Sequence, residues 1–376
     1  MLPRPLSKPP PDLPEDQVPT ALPTAPSPQI YGYRTKITPH FDAPRGPKGK
    51  DSTVQKEGTE TGSVGVPIGF MEKGRRRVLD IEVSIYRLGV LFKRTIEGMS
   101  HSNTYNQRSS HPRPGKDSQV SIPPALLILL PPLIETNLRS IQTFKRGATL
   151  LLRDSIQPLD LGSLTESFEQ HVCITDHKAI VRERVGDMFF EFPAGSFFQN
   201  NNSILVSLTS HVRDAILASP IPPTHLVDAY CGSGLFSITL SPHFAHVAGI
   251  EISEDSIRYA NHNAKLNNLP EGKCTFHAGK AEAIFESVRD FPAQTTAVII
   301  DPPRKGCDDA FLTQLLAFGA ETIVYVSCNV HSQARDMGVI MASGKYRIES
   351  VRGLDLFPQT AHVESLAILR RVLPDA

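Results

Sequence analysis

The sequence has no surplus of either charge: lysine plus arginine and aspartate plus glutamate number 39 each in 376 residues. No global positive field announces a polyanionic partner, so any nucleic-acid contact has to rest on local basic clusters. Paired cysteines are missing as well. Cys173, Cys231, Cys274, Cys307 and Cys328 are odd in number and widely spaced, with no CxxC and no metal-like Cys/His spacing. That excludes a disulfide framework and a sequence-local metal knuckle, and it points to a reducing, intracellular compartment. No long apolar run exists either: Ala125 to Leu130 is cut short by Pro131 and Pro132, far below the roughly 20 apolar residues of a membrane span. Prolines 3, 5, 9, 10, 11 and 14, with Glu15 and Asp16, suit neither a secretory signal nor an arginine-rich transit peptide. Nucleus, cytoplasm and mitochondrion all stay open.

With 40% hydrophobic and 21% charged residues, the chain has a globular composition and the length of about two domains. Residues 1–29 are proline-rich and without periodicity, which predicts a disordered lead-in. Residues 30–82 read as the N-terminal part of a catalytic region. Residues 83–142 are irregular, joining a polar run from Ser100 to Lys116 to the proline-broken apolar run, and fit neither strand nor helix. Over 143–198, short strands around Ala148 to Leu152, Val172 to Ile174, Ala179 to Arg184 and Met188 to Phe192 make a small β-rich subdomain.

From 199 to 376 the pattern alternates. Strands at Leu226 to Asp228, Val247 to Glu251, Thr275 to Ala278, Ala297 to Asp301 and Thr322 to Ser327 are interleaved with helices at Leu235 to Leu240, Asp255 to Leu269 and Asp309 to Phe318. Such alternation predicts an α/β fold of Rossmann type, a mostly parallel sheet with helices on both faces.

Asp228-Ala229-Tyr230-Cys231-Gly232-Ser233-Gly234 follows an apolar strand and opens a helix, so its glycines permit a tight turn and let backbone amides approach a ligand. Glu251 ends the next strand about 20 residues on, where a carboxylate accepts hydrogen bonds from ribose hydroxyls. The pair indicates an adenosine-containing cofactor. Without the third glycine of the dinucleotide fingerprint there is no cradle for a pyrophosphate, which favours S-adenosyl-L-methionine over NAD. Taken singly, the glycines are also an ordinary strand-to-helix turn and Glu251 a surface residue before a Ser253 cap.

Asp301-Pro302-Pro303-Arg304-Lys305-Gly306 places a carboxylate and a rigid loop at a strand's C-terminal edge, where open α/β sheets bind ligands. The next strand runs into Ser327-Cys328-Asn329 and brings a thiol to the same edge. Cysteine is suited to nucleophilic attack because a few per cent is already thiolate at neutral pH; the bland alternative is a small buried hydrophobe. Near the C-terminus His362 and Glu364 lie between two strand-like runs, and either is placed to accept a proton.

The segment Phe192-Pro193-Ala194-Gly195-Ser196-Phe197-Phe198-Gln199-Asn200, the DAYCGSG loop, DPPRKG, VSCN and LFPQTAHVES stand in one order. In that order the chain resembles the RNA uracil-5 methyltransferase family, and most of all its eukaryotic tRNA branch, over Tyr31 to Phe41, Pro67 to Glu82 and Phe144 to the end. The resemblance implies methylation of carbon 5 of a uridine, with a tRNA T-loop uridine as the preferred target and ribosomal RNA as the alternative. It implies S-adenosyl-L-methionine contacts at Gln199, Tyr230, Glu251 and Asp301, Cys328 as nucleophile, Glu364 as general base, and no metal. A base that must reach a thiol in a cleft has to leave its stack, which single-stranded loops allow at least cost. Arg34 and Lys36, Lys73 with Arg75, Arg76 and Arg77, and Arg304 with Lys305 are candidate phosphate contacts.

Two departures accompany the resemblance. That branch carries an N-terminal β-barrel for RNA, for which the residues before Tyr31 leave no room. Residues 83–142 replace an expected helical region and read as an insertion or as untranslated sequence read as coding. Related bacterial enzymes for ribosomal RNA hold an iron-sulfur cluster through N-terminal cysteines; none precedes Cys173 here, so no cluster is expected. A monomer is expected. The competing classes are a non-catalytic RNA-binding or tRNA-folding protein, and a methyltransferase for a small molecule or a protein glutamine; the latter shares the glycine loop and Asp301-Pro302-Pro303 but has no call for Cys328 beside Asn329.

Overall fold

A computed structural model describes residues 19–38, 40–41, 68–71, 78–80, 148–149, 151–159, 168–279 and 281–372. The expected insertion over 83–142 and the cluster of Lys73, Arg75, Arg76 and Arg77 lie outside the described residues. In chain order the described strands are β1 (Thr20–Ala25), β2 (Lys36–Ile37), β3 (His40–Phe41), β4 (Ile68–Met71), β5 (Val78–Asp80), β6 (Ala148–Thr149), β7 (Leu152–Leu159), β8 (Phe168–Ile174), β9 (Ile180–Val185) and β10 (Met188–Pro193). They continue as β11 (His225–Ala229), β12 (His246–Glu251), β13 (Cys274–Ala278), β14 (Thr296–Ile300), β15 (Thr322–Ser327), β16 (Tyr346–Leu354) and β17 (Glu364–Arg371). The α-helices are α1 (Leu205–Leu217), α2 (Leu235–Leu240), α3 (Glu254–Leu266), α4 (Asp309–Phe318) and α5 (Val330–Ala342).

The main sheet has eight strands in the order β1-β16-β17-β15-β14-β11-β12-β13. Strands β14, β11, β12 and β13 pair in parallel with their neighbours and β15 joins β14 in parallel, while β17 runs antiparallel between β15 and β16. The order steps outward from β11 in both directions, to β12 on one side and β14 on the other. The C-terminal ends of these strands therefore frame the crevice in which open α/β sheets bind ligands.

Both faces of the sheet are covered, and the sequence shows why: β14 and β15 are buried at every position, the continuous apolar pattern of a doubly covered strand. Alternate residues go to opposite cores. Leu226, Val247, Ala297, Ile299, Val324 and Val326 join Leu205, Leu208, Val212 and Ile216 of α1 and Ile238 of α2. Val227, Ala248, Ile250, Val298, Ile300 and Ile323 join Phe311 and Leu315 of α4 and Ile340 of α5.

Helix ends are specified locally. Ser253 caps α3 by accepting the Ser256 N–H at 3.2 Å, with Glu254 and Asp255 in the first turn and Lys265 in the last, which complements the helix dipole. Asp308 caps α4 through the Phe311 N–H at 2.8 Å, and Gly319 closes it in the left-handed region at φ 68°.

The expected disordered lead-in over 1–29 needs correction from Thr20 onward, residues 1–18 lying outside the described residues. Thr20–Ala25 is an edge strand of the main sheet, parallel to β16, with a register break between Leu22 and Ala25. Pro23 lies in that break, and a proline is tolerated there because an edge position asks for no N–H. Its carbonyl still accepts from Arg352 Nε at 3.0 Å. The smaller sheets are β2-β7-β8, β5-β4-β3-β6 and the β9–β10 hairpin. No helix among the described residues is long and apolar enough to cross a membrane.

Candidate active site

The glycine loop leaves β11 through three residues of positive φ: Tyr230 at 67°, Gly232 at 53° and Gly234 at 96°. A Cβ on Gly234 would stand 2.9 Å from the Ile238 side chain, whereas one on Gly232 would meet nothing within 4 Å, so open space lies in front of the loop at Gly232. Tyr230 is held in a conformation that disfavours side chains. Its ring packs on Phe311 with centroids 5.3 Å apart.

Asp228, just before the loop, is buried. Its Oδ2 accepts both the Ser237 N–H at 2.9 Å and the Ser237 hydroxyl at 2.6 Å, while Oδ1 has no hydrogen-bond partner. Burial pushes this carboxyl up to about 7 against the Ser237 bonds, and nearby Glu251 adds to the rise. Glu251 uses Oε2 to accept the Gly232 N–H at 3.3 Å and Oε1 to accept the Ser253 N–H at 3.1 Å. It braces the loop from the neighbouring strand. Asp301, at the end of β14, is likewise pushed up to about 7 by burial and then by the Asp228 carboxylate. A buried carboxylate and a half-buried one close enough to feel each other's charge disfavour ionisation unless a cation stands nearby.

The thiol lies one strand further. Cys328 directly follows β15, and Glu364 opens β17, whose Ser365 pairs with Ser327. One more step of that antiparallel register sets Glu364 opposite Cys328. Glu364 is 2% exposed. Burial, then Asp301, push its carboxyl well above the usual range, and Arg304 opposes the rise. The Cys328 thiol is pushed up by burial and by Glu364, while the nearby Arg304 guanidinium pulls it down. The sheet edge thus gathers a thiol, two carboxylates and one guanidinium. Such a cluster can deliver a thiolate, accept a proton at Glu364 and stabilise developing negative charge.

Gln199 comes from outside the sheet, on the loop after β10. Phe192 and Phe198 stack at 4.4 Å, and the Arg153 guanidinium, ion-paired to Glu183 at 3.0 Å, sits 4.7 Å from the Phe192 ring centre. The Thr35 N–H donates to the Asn200 carbonyl at 2.8 Å. Asn201 donates to the Leu356 carbonyl at 3.1 Å. The loop of Gln199 is therefore stitched to the segment leading to Glu364.

A family model for tRNA (uracil-5-)-methyltransferase matches residues 139–372, and the chain is 46% identical over 365 residues to a tRNA (uracil(54)-C(5))-methyltransferase of Schizosaccharomyces pombe. The chain belongs to the tRNA (uracil-5-)-methyltransferase family. The fission-yeast match covers 95% of this chain and 58% of the relative. A Saccharomyces cerevisiae protein of the same description is 39% identical, over 93% of this chain and 54% of its own length. The chain thus spans a little over half of these curated relatives. A solved structure of Pyrococcus abyssi tRNA (uracil-54, C5)-methyltransferase in complex with S-adenosyl-L-homocysteine superposes with a TM-score of 0.55 at 21% identity, covering 92% of this chain and 78% of that one. That likeness speaks to the fold.

For a member of this family, the structure brings Tyr230, Glu251, Asp301, Cys328 and Glu364 to one edge, with Gln199 on the flanking loop. His362, the other candidate proton acceptor, is exposed and set edge-on to Phe357. Lys36 donates to the carbonyls of Gly195 and Ser196, which ties its ammonium to the Gln199 loop. Arg304, read from the sequence as a phosphate contact, is exposed and near enough to Cys328 for its charge to act on the thiol. Asp228 opens the glycine-loop motif, whereas Asp336 stands in no motif of the sequence. Burial makes these carboxylates conspicuous, and burial of a lone aspartate has no signature in the letters.

Proposed function

We propose that this chain transfers a methyl group from S-adenosyl-L-methionine to carbon 5 of a uridine in tRNA, giving 5-methyluridine, with the T-loop uridine as target. The observation that carries this reading is the placement of Cys328 and Glu364, one residue beyond the paired Ser327 and Ser365, at the sheet edge near Asp301 and Arg304. Carbon 5 of uracil is a poor nucleophile until a thiolate adds to carbon 6. The Cys328 sulfur forms that bond, and the ring's π pair moves to carbon 5 and the carbonyl oxygen as an enolate. The cofactor, when bound, would supply the methyl group as an electrophile: carbon 5 of the enolate bonds to that methyl as its bond to the sulfonium breaks, leaving a neutral thioether. Glu364 then takes the proton from carbon 5; the carbon–carbon double bond re-forms as the bond to Cys328 breaks and the thiolate leaves.

The residues present fit the cofactor. The unpartnered Asp228 Oδ1, the carboxyl of Asp301 and the open space at Gly232 suit a cationic ligand on the glycine loop. We assign Glu251 to the ribose hydroxyls, and Gln199, Tyr230 and Asp301 to the rest of the molecule. The raised pKa of Glu364 makes it a stronger base once ionised, while at Cys328 the Arg304 charge opposes the rise from burial and keeps thiolate within reach.

Incubating the protein with unmodified tRNA transcript or, separately, ribosomal RNA transcript and methyl-labelled cofactor, followed by nucleoside analysis, tests the proposal. Label is expected in 5-methyluridine, and is expected to vanish in Cys328→Ala. Label carried equally by the Cys328→Ala variant would overturn the mechanism, and label confined to ribosomal RNA would replace the substrate.

A further inference from the structure

Behind the reacting edge lies a cluster that the proposed chemistry does not use. Asp336, on α5, is 1% exposed, yet every lone-pair direction of its carboxylate is occupied. Oδ2 accepts the Cys307 N–H at 2.8 Å and the Tyr325 hydroxyl at 2.6 Å. Oδ1 accepts Arg335 Nε at 2.8 Å and Nη2 at 2.7 Å. Arg335 Nη2 also donates to the carbonyls of Lys305 at 2.9 Å and Cys307 at 3.2 Å. From the start of the same helix, Asn329 Nδ2 donates to the carbonyl of Arg304 at 2.9 Å. Three backbone carbonyls and one amide of residues 304–307 are thus fastened to α5. Gly306 has φ 81°, and a Cβ there would fall 2.5 Å from both Arg335 Nη2 and Asp336 Oδ2, so the loop and the pair are in close contact. Tyr325, three residues before Cys328, joins β15 to the same carboxylate.

We propose that the Asp336–Arg335 pair is a positioning latch: it holds the loop of residues 304–307, tied through Asn329 to the residue beside Cys328, so that the Arg304 guanidinium stays near the Cys328 sulfur. This rests on the reading of Cys328 as nucleophile. A buried carboxylate with all its acceptors filled gives a rigid anchor, and removing one partner leaves an uncompensated charge. Charge-assisted contact with a guanidinium falls off with distance and with the entry of water, so a loosened loop weakens the pull of Arg304. The charged groups facing Cys328 are Arg304 on this loop, Asp301 at the end of β14 and Glu364 on β17. Arg304 is the cation among them, and it is the member the latch holds.

The test measures alkylation of Cys328 by iodoacetamide against pH, read by peptide mass spectrometry, in wild type, Asp336→Asn, Arg335→Ala and Arg304→Ala. The Arg335 side chain is 57% exposed, so Arg335→Ala keeps the proposal testable if Asp336→Asn fails to fold. The midpoint is expected to rise by about one pH unit in both latch variants, approaching that of Arg304→Ala, with about tenfold less thiolate at a fixed pH below it. Cofactor affinity is expected to stay within about twofold, and kcat to fall more than KM. Loss of the Asp336 charge alone would move the midpoint down, so a rise identifies the latch. Arg335→Lys, which keeps a donor, is expected to recover part of the shift. A melting temperature lowered with an unmoved midpoint would overturn the proposal. The alkylation readout needs no methyl transfer, so a wild type that fails to methylate tRNA while showing the midpoint shift sinks the function and leaves the latch standing.

Discussion

Asn329 donates its side-chain amide to the Arg304 carbonyl across 2.9 Å while its Oδ1 accepts the His331 N–H at 3.2 Å. One residue beside the thiol therefore caps α5 and fastens the loop of Arg304. The two tasks separate by substitution. Asn329→Ser keeps a capping oxygen but is too short to reach Arg304, so thermal stability is expected to stay within a degree or two while kcat drops about tenfold. Asn329→Ala loses both, with a further cost of about 1 kcal/mol from the missing cap. Thermal melts and single-turnover methylation distinguish them; equal kcat in wild type and Asn329→Ser would contradict the assignment.

Asp228 and Asp301 are both pushed up to about 7, so cofactor binding is expected to depend on pH. A cation seated between them favours the ionised forms, and as pH falls through about 7 the carboxyls take up protons and affinity declines. Titration calorimetry from pH 8.5 to 6 should show weakening of several-fold or more, with proton release on binding near pH 7. Asp228→Asn should flatten the dependence. The same shift has a sign for stability without cofactor. A folded-state pKa above the unfolded value of 3.8 means native stabilisation that is full below about 4 and lost as pH rises through about 7. Asp228→Asn should accordingly gain on wild type at pH 8 and not at pH 4.

Two glycines of positive φ are expected to respond differently to alanine. At Gly232 a Cβ has open space, so the cost is the left-handed backbone alone, about 1 kcal/mol. At Gly306 the same strain is joined by contact with Asp336 and Arg335 at 2.5 Å. Gly306→Ala should melt at a lower temperature than Gly232→Ala, while Gly232→Ala should be the one that weakens cofactor binding. Differential scanning calorimetry with and without cofactor checks both.

Much of the catalytic half is legible in the letters because its strands are apolar on both faces: Ala297 to Ile300 and Thr322 to Val326 announce buried parallel strands, and the chemistry-bearing residues stand at their ends. Other elements hide. In α5 the buried positions are Ser332, Gln333, Asp336 and Ile340, so the helix carries no apolar stripe to find. Leu205, Leu208, Val212 and Ile216 mark the buried face of α1 at helical spacing. Strand β1 depends on a partner more than three hundred residues away, which no local window contains. Arg304 looks like any solvated basic residue, and only the fold of its loop brings it near Cys328.

A covalent step through Cys328 that Glu364 resolves can be trapped. A tRNA carrying 5-fluorouridine at the target offers no proton at carbon 5 for Glu364 to remove, so the bond between the Cys328 sulfur and carbon 6 should persist. Denaturing electrophoresis with cofactor present is predicted to show a protein–RNA band whose peptide map places the RNA on Cys328. Glu364→Gln should give such a band even with ordinary uridine, and Cys328→Ala should give none. A wild-type protein that methylates unmodified tRNA yet forms no adduct with the fluorinated substrate, or an adduct that survives Cys328→Ala, would contradict the account.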